Sequence, residues 1–214
     1  MICRGGFHPK DADLIPGDVE TCILVGNAGV QFWRSFTAER PEGSNPVEAW
    51  TKRVLEKIAV DFGAEVLLPF TGPPFLPFLE WAKRSEPVTE SPIGPLIHPV
   101  YGLWHAYRGL LLFQEKIDLP ETASRNGNAL GPSPCDTCAD QPCLQACPVK
   151  AVNGDIFDVS ACAGFISSVE GGDCLATGCR ARRACPVGQN CVYSPAQAAH
   201  HMQFFLDTFG PGPR

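Results

Sequence analysis

The sequence predicts an α/β region over residues 1–125 and a small, loop-rich α+β module over residues 126–214. Short apolar runs alternate with amphipathic helical patterns in the first region, and cysteine is concentrated in the second. Gly and Pro number 21 each in 214 residues, which is typical of a loop-rich fold. A stretch rich in Gly, Asn, Ser and Pro, residues 121–134, is the expected domain boundary.

The first elements expected are a strand and a helix. Thr21–Val25 is an almost continuous apolar run, which suits a strand buried on both faces. Small residues follow at positions 26–29, and Val30–Phe36 is expected to be helical. Strands that alternate with helices favour a parallel or mixed sheet covered by helices.

The clearest helical signal begins at Asn45. Asn45 is suited to be the N-cap, and Pro46 takes the first helical position. Apolar residues then recur every three or four positions as far as Phe62, and Gly63 is expected to end the helix.

Four further elements complete the prediction. Residues 64–70 and 107–113 are apolar enough for strands, and residues 78–84 suit a short helix. The last helix is expected over residues 195–209, with Ser194 as its N-cap.

Composition narrows the class of protein. Hydrophobic residues make up 44% of the chain and charged residues 19%, which indicates a globular protein. The formal net charge of −6 argues against nucleic acid and anionic membranes as partners, and no apolar run of about 18 residues is present to span a bilayer. Residues 1–10 lack the apolar core of a secretion signal, so a cytoplasmic protein is expected.

Nine of the eleven cysteines lie between Cys135 and Cys191, and eight of them form two sets of four. Each set ends on a Cys-Pro pair, and the first has the spacing C-x2-C-x4-C-x3-C-P. Two sets of four thiolates with these endings predict two [4Fe–4S] clusters, which carry electrons one at a time. The sets are Cys135, Cys138, Cys143 and Cys147, and then Cys162, Cys174, Cys179 and Cys185.

The Cys-Pro pairs also predict how the ligands are shared. In two-cluster ferredoxins the cysteine before the proline ligates the other cluster. Pro148 restricts Cys147 to an extended conformation, which directs it away from the loop before it. The expected ligands are therefore Cys135, Cys138, Cys143 and Cys185 for cluster 1, and Cys147, Cys162, Cys174 and Cys179 for cluster 2. Cys3, Cys22 and Cys191 remain outside, although Cys191 could replace Cys185.

Two other uses of the cysteines stay open. Zinc also accepts four thiolates, and the gaps between these cysteines are wider than in most ferredoxins, so a zinc-stabilised interaction module is one alternative. Disulfides are the other, and the expected reducing compartment argues against them.

Four residues before the cysteine region are candidates for binding a cofactor. Arg108 lies within an apolar strand, where its charge needs a carboxylate, a phosphate or a ligand, and a structural salt bridge would satisfy it equally well. His98 could line a pocket or simply form hydrogen bonds within its loop. His105 and Tyr107 alternate, so they share one face of a strand.

The cysteine region resembles the ferredoxin module of epoxyqueuosine reductases and reductive dehalogenases. The resemblance lies in CDTCADQPCLQACPVKAV (residues 135–152), in the lone cysteine of DVSACAGFIS and in the later CPVG. Upstream, LIHPVYGLWHAYRGLLLF (residues 96–113) is similar to the HPxxGxWxxxRG stretch of CblC-type cobalamin-processing proteins.

These resemblances imply a flavodoxin- or nitroreductase-like first domain and a bacterial-ferredoxin-like second one. They imply an electron-transfer protein that serves a cofactor or a redox partner protein, or alternatively an oxidoreductase that uses cobalamin or another corrinoid in its first domain. Phe70 stands where the reductases have a catalytic aspartate, which implies that this chain does not reduce a tRNA base.

Overall fold

The computed structural model describes residues 1–120, 132–154 and 156–211. The chain forms two compact units, of which the first comprises Met1–Val88 and His105–Pro132 and the second Thr89–Trp104 and Ser133–Arg214. The sequence-based division assigns residues 89–104 to the first domain, whereas here they belong to the second unit. Most of the expected boundary, residues 121–131, lies outside the described residues.

The first unit contains a four-stranded sheet in the order β1–β2–β6–β3. Each neighbouring pair in this sheet is antiparallel. The expectation of a parallel or mixed sheet is therefore wrong for the described residues, because apolar patterning reports that a strand is buried but not its direction. The strands are β1 (Ile2–Phe7), β2 (Thr21–Ala28), β3 (Glu65–Leu67) and β6 (His105–Phe113), while β4 (Thr89–Glu90) and β5 (Leu96–Ile97) pair in the second unit.

Three helices cover this sheet: α1 (Gln31–Ala38), α2 (Pro46–Phe62) and α3 (Phe78–Ser85). The bounds of α2 confirm the prediction, and Gly63 ends the helix with a φ of 65°. Asn45 occupies the N-cap position without a capping hydrogen bond from its side chain. On the inner face of α2, Leu55 packs with Val25 and Leu111 of the sheet.

The second unit consists mainly of short helices joined by turns. They are α4 (Pro142–Gln145), α5 (Val159–Ile166), α6 (Gly172–Thr177), α7 (Arg180–Arg183) and α8 (Pro195–Phe209). The bounds of α8 confirm the predicted helix, and the Ser194 hydroxyl accepts a hydrogen bond from the backbone N–H of Gln197. In the part of the chain that the structure describes, no helix has the length and hydropathy needed to cross a membrane.

Candidate metal centres

The first group of cysteines lies around α4 and the end of α7. Cys135 and Cys138 are joined by a turn in which the N–H of Cys138 donates to the carbonyl of Cys135 at 3.2 Å. Cys143 lies on α4, and Cys185 follows α7. Cys143 and Cys185 are buried in one apolar cluster, and Cys135 packs against it.

Electrostatic interactions link these four side chains. Burial raises the pKa of the Cys135 thiol, and the neighbouring Cys185 and Cys138 raise it further. Burial likewise raises the pKa of Cys143, with contributions from Cys185, Cys135 and Cys138. The four thiols are therefore mutual neighbours, although Cys185 lies about forty residues after the others along the chain.

The second group lies in the turn after α4 and on the next three helices. Cys147 precedes Pro148, Cys162 lies on α5, Cys174 on α6, and Cys179 at the N-terminus of α7. All four line a single pocket that encloses about 310 Å³ of space between atoms, part of it open to solvent. Burial raises the pKa of Cys162 to about 11, and Cys179, Cys147 and Cys174 contribute in that order.

Backbone N–H groups point at sulfur in both groups. The N–H of Ala151 donates to Sγ of Cys147 at 3.3 Å. Cys143 accepts such a hydrogen bond from Leu144, and Cys185 accepts one from Val187. Burial raises the pKa of both thiols, and these hydrogen bonds lower it by a smaller amount. Cys179 receives two, from the N–H groups of Arg182 and Ala181. Such donors stabilise negative charge on sulfur.

The donor set fits thiolate-bound metal clusters. Each group offers four sulfur ligands, partly or fully buried, with backbone donors beside them and apolar residues around them. Without a compensating cation, burial and mutual repulsion keep several of these cysteine side chains as neutral thiols. Metal ions would supply that compensation, because metal binding deprotonates a thiol.

Among residues 1–120, 132–154 and 156–211, no three or more His, Cys, Asp or Glu side chains, cysteines included, form a group that could hold a metal ion. A tetrahedral zinc site requires each sulfur at about 2.3 Å from one ion. The thiols of the first group are neighbours through their electrostatic interactions. Those of the second group interact in the same way and also line one pocket.

The candidate cofactor-binding residues His105 and Tyr107 belong to a buried polar network in the first unit. Arg4 and Glu86 form a two-pronged ion pair, with distances of 2.8 Å from Nε to Oε2 and 2.6 Å from Nη2 to Oε1. The Tyr107 hydroxyl donates to the same Oε1 at 2.6 Å. Burial, followed by the charge and hydrogen bond of Glu86, raises the pKa of Tyr107 far above its usual range.

The same network fixes the protonation of His105. Nη2 of Arg4 lies 3.3 Å from Nδ1 of His105. A guanidinium can only donate, so Nδ1 accepts and the neutral ring carries its proton on Nε2. Arg4 and Glu86 were missed by the sequence reasoning. For Arg4 the available signal was a charged residue in a short, partly apolar run, the criterion that selected Arg108, whereas Glu86 follows α3 and carried no such signal.

The two other candidates, Arg108 and His98, have different hydrogen-bond partners. Nε of Arg108 donates to Oδ1 of Asn27 at 2.7 Å, and its guanidinium lies 4.4 Å from the centre of the Phe32 ring. His98 belongs to the second unit, where its Nδ1 accepts hydrogen bonds from the N–H groups of Val100 and Tyr101 at 3.0 and 3.2 Å. Cofactor binding by His98, His105, Tyr107 and Arg108 stays a prediction.

No protein-family model and no curated protein matches this sequence. Among solved structures, epoxyqueuosine reductase from Streptococcus thermophilus matches with a TM-score of 0.50 at 16% identity, covering 85% of this chain. The present chain spans 54% of the length of that protein. At this identity the likeness shows a shared fold.

A structure of epoxyqueuosine reductase with an epoxyqueuosine-modified tRNA-Tyr stem loop also matches, with a TM-score of 0.49 at 16% identity over 86% of this chain and 55% of that one. This finding corrects one expectation. The net charge of −6 led to the exclusion of nucleic acid as a partner; net charge does not carry that exclusion, and the reductase in this second structure was solved with a tRNA stem loop.

Proposed function

We propose that this chain is an iron–sulfur redox protein that binds two [4Fe–4S] clusters and passes electrons to a cofactor or a partner protein. The observation that carries the proposal is the grouping of the thiols. The pKa values of Cys135 and Cys143 are raised by each other or by Cys138 and Cys185, and the pKa values of Cys162 and Cys179 are raised by neighbours among Cys147, Cys174 and Cys179. The spacing of the Cys-Pro pairs predicts the same two groups.

The chain's own residues would hold each cluster and exclude water from it. Sulfur ligands come from different turns and short helices, so each site closes only when the second unit is folded. Backbone N–H groups at Ala151, Leu144 and Val187 lie beside ligand sulfurs and would stabilise the negative charge of a thiolate-bound cluster. Bound clusters would supply one-electron redox chemistry.

The resemblance of residues 135–152 to the ferredoxin module of epoxyqueuosine reductases supports this proposal, and so does the shared fold. A role as an oxidoreductase component with a redox partner protein follows from the same resemblance. Zinc is less well supported, because two Cys-Pro endings are typical of iron–sulfur ligation.

The proposal is tested by EPR spectroscopy of the full chain, purified without oxygen and reduced with dithionite. We expect signals from two reduced clusters, with up to about two unpaired spins per chain. Cys191→Ala is the matched control, since Cys191 belongs to neither group and its loss should leave both signals intact. A protein that remains EPR-silent and colourless after reconstitution with iron and sulfide would exclude the proposed function.

A further inference from the structure

Arg180 lines the same pocket as the second group of cysteines. Its guanidinium carbon lies 5.9 Å from the centre of the Phe165 ring, another wall of this pocket. Arg180 directly follows Cys179, so the position of its charge is tied to that of a sulfur ligand. The Arg180 side chain is 36% exposed, so its permanent charge lies at the edge of the mostly apolar pocket that the four thiols line.

Asp173 fixes the position of that cation. Its Oδ2 accepts from Nε of Arg180 at 2.9 Å and also from Arg183. Arg180 is therefore held by a carboxylate that precedes Cys174, another cysteine of the same group.

Arg182, on the same helix as Arg180, has different partners. It donates to the carbonyl of Leu103, with its guanidinium 4.7 Å from the centre of the Trp104 ring. Leu103 packs with Cys143 and Cys185 of the first group. Both groups therefore have an arginine in their surroundings, and Arg180 lines the pocket of the second group.

We propose that Arg180 raises the reduction potential of the cluster at the second group. Reduction adds one negative charge to a cluster, and a nearby fixed cation stabilises that charge. The cluster at the second group gains one electron, the cluster at the first group or a redox partner protein that supplies it is oxidised by one electron, and no bond or proton is transferred. This inference rests on the proposed function.

The test is a potentiometric titration of the full chain, purified without oxygen and followed by EPR. Cys138→Ala removes the first cluster and so identifies which couple belongs to which group. In Arg180→Gln we expect the midpoint potential of the second couple to fall and that of the first couple to stay unchanged. In Arg180→Lys, which keeps the positive charge, the potential of the second couple should stay close to that of the unaltered protein. Asp173→Asn removes the opposing charge, so it should move the second couple upward.

Arg183→Gln is the matched control. Arg183 carries the same charge as Arg180 and donates to the same carboxylate of Asp173, but it does not line the pocket. Its shift should be clearly smaller than that of Arg180→Gln. The inference is overturned if Arg180→Gln leaves the midpoint potential of the second couple unchanged. Should Arg180→Gln fail to fold, the absence of an upward shift in Asp173→Asn overturns it. Absence of iron from the unaltered protein would instead remove the proposed function, and this inference with it.

Discussion

Gly102 lies directly against the carbonyl group of Val187, so closely that a Cβ atom on Gly102 would overlap the carbonyl oxygen. Gly188 approaches Tyr101 in the same way, and both glycines have positive φ values, 57° and 72°. The loop from His98 to Gly102 is closed by reciprocal backbone hydrogen bonds of 2.9 and 2.8 Å. The HPxxG stretch and the turn at the second Cys-Pro pair, Cys185-Pro186-Val187-Gly188, are therefore packed backbone to backbone within one unit.

This contact predicts that Gly102→Ala is strongly destabilising. The positive φ alone costs about 1–3 kcal/mol for a residue with a side chain, and the overlap with Val187 adds to that cost. Gly94→Ala is the matched control, because Gly94 also has a positive φ but no atom within 4 Å of the added Cβ. Thermal unfolding should separate the two variants, and equal melting temperatures would show that the contact contributes nothing.

Paired cysteine variants test how the ligands are shared. If the groups are as proposed, Cys143→Ala combined with Cys147→Ala removes a ligand from each cluster, and both clusters should be lost. Cys147→Ala combined with Cys162→Ala removes two ligands from one cluster, so about half of the iron should remain. Iron analysis and EPR of the two double variants give the answer. The reverse result would mean that each consecutive set of four cysteines binds its own cluster.

The two cysteines of the first unit should differ in reactivity. Burial raises the pKa of Cys22 to about 12, with a smaller contribution from Asp13, so at pH 8 only about one thiol in 10⁴ is ionised. Cys3 is exposed. Iodoacetamide at pH 8 should therefore label Cys3 and spare Cys22, as read by mass spectrometry of tryptic peptides. Both should be labelled in denaturant, and rapid labelling of native Cys22 would contradict the structure.

The ion pair of Arg4 and Glu86 should matter for the stability of the first unit. The two side chains are only 1% and 8% exposed, so Glu86→Gln leaves a buried guanidinium without its counter-charge. We expect a loss of about 3–5 kcal/mol in the free energy of unfolding, measured in urea by tryptophan fluorescence. Tyr107→Phe removes one hydrogen bond to Glu86 and should cost about 1–2 kcal/mol.

A surface pair provides the control for this series. Lys57 and Asp61 form an exposed ion pair on α2, and Asp61→Asn should change stability by less than about 1 kcal/mol. A Glu86→Gln variant as stable as Asp61→Asn would show that the buried network is not needed for folding.

Corrinoid binding by the first unit stays a prediction based on the resemblance of residues 96–113 to CblC-type proteins. Titration with cob(II)alamin without oxygen, followed by visible and EPR spectra, tests it. A spectral change that is lost in a His105→Ala variant would support a corrinoid-dependent reductase. No change with the unaltered protein would leave electron transfer to a partner as the function.

Local signals in the sequence predicted α2 and α8 well, whereas the short helices α4 to α7 were not predicted. Pro46 and Gly63 set the ends of α2, and Ser194 set the start of α8, because helix caps act on neighbouring residues. Strand β1 was missed since Arg4, Gly5 and Gly6 interrupt its apolar pattern. Strand direction was also wrong, because it depends on pairing between β2 and β6, which lie more than seventy residues apart.

The site was predictable in part for the same reason. The spacing of the cysteines and their Cys-Pro endings form a local pattern, which singles out the eight cysteines of the two groups. The partner of Arg4 is Glu86, which is 82 residues away, and no local pattern announces it. The assignment of residues 89–104 to the second unit similarly depends on tertiary contacts such as that between Gly102 and Val187.

The central claim is that eight cysteine side chains hold two iron–sulfur clusters. Iron and acid-labile sulfide counts on the full chain, isolated without oxygen and reconstituted, test it most directly. We expect about eight iron and eight sulfide per chain. One or two zinc ions per chain, or neither metal nor sulfide, would contradict it.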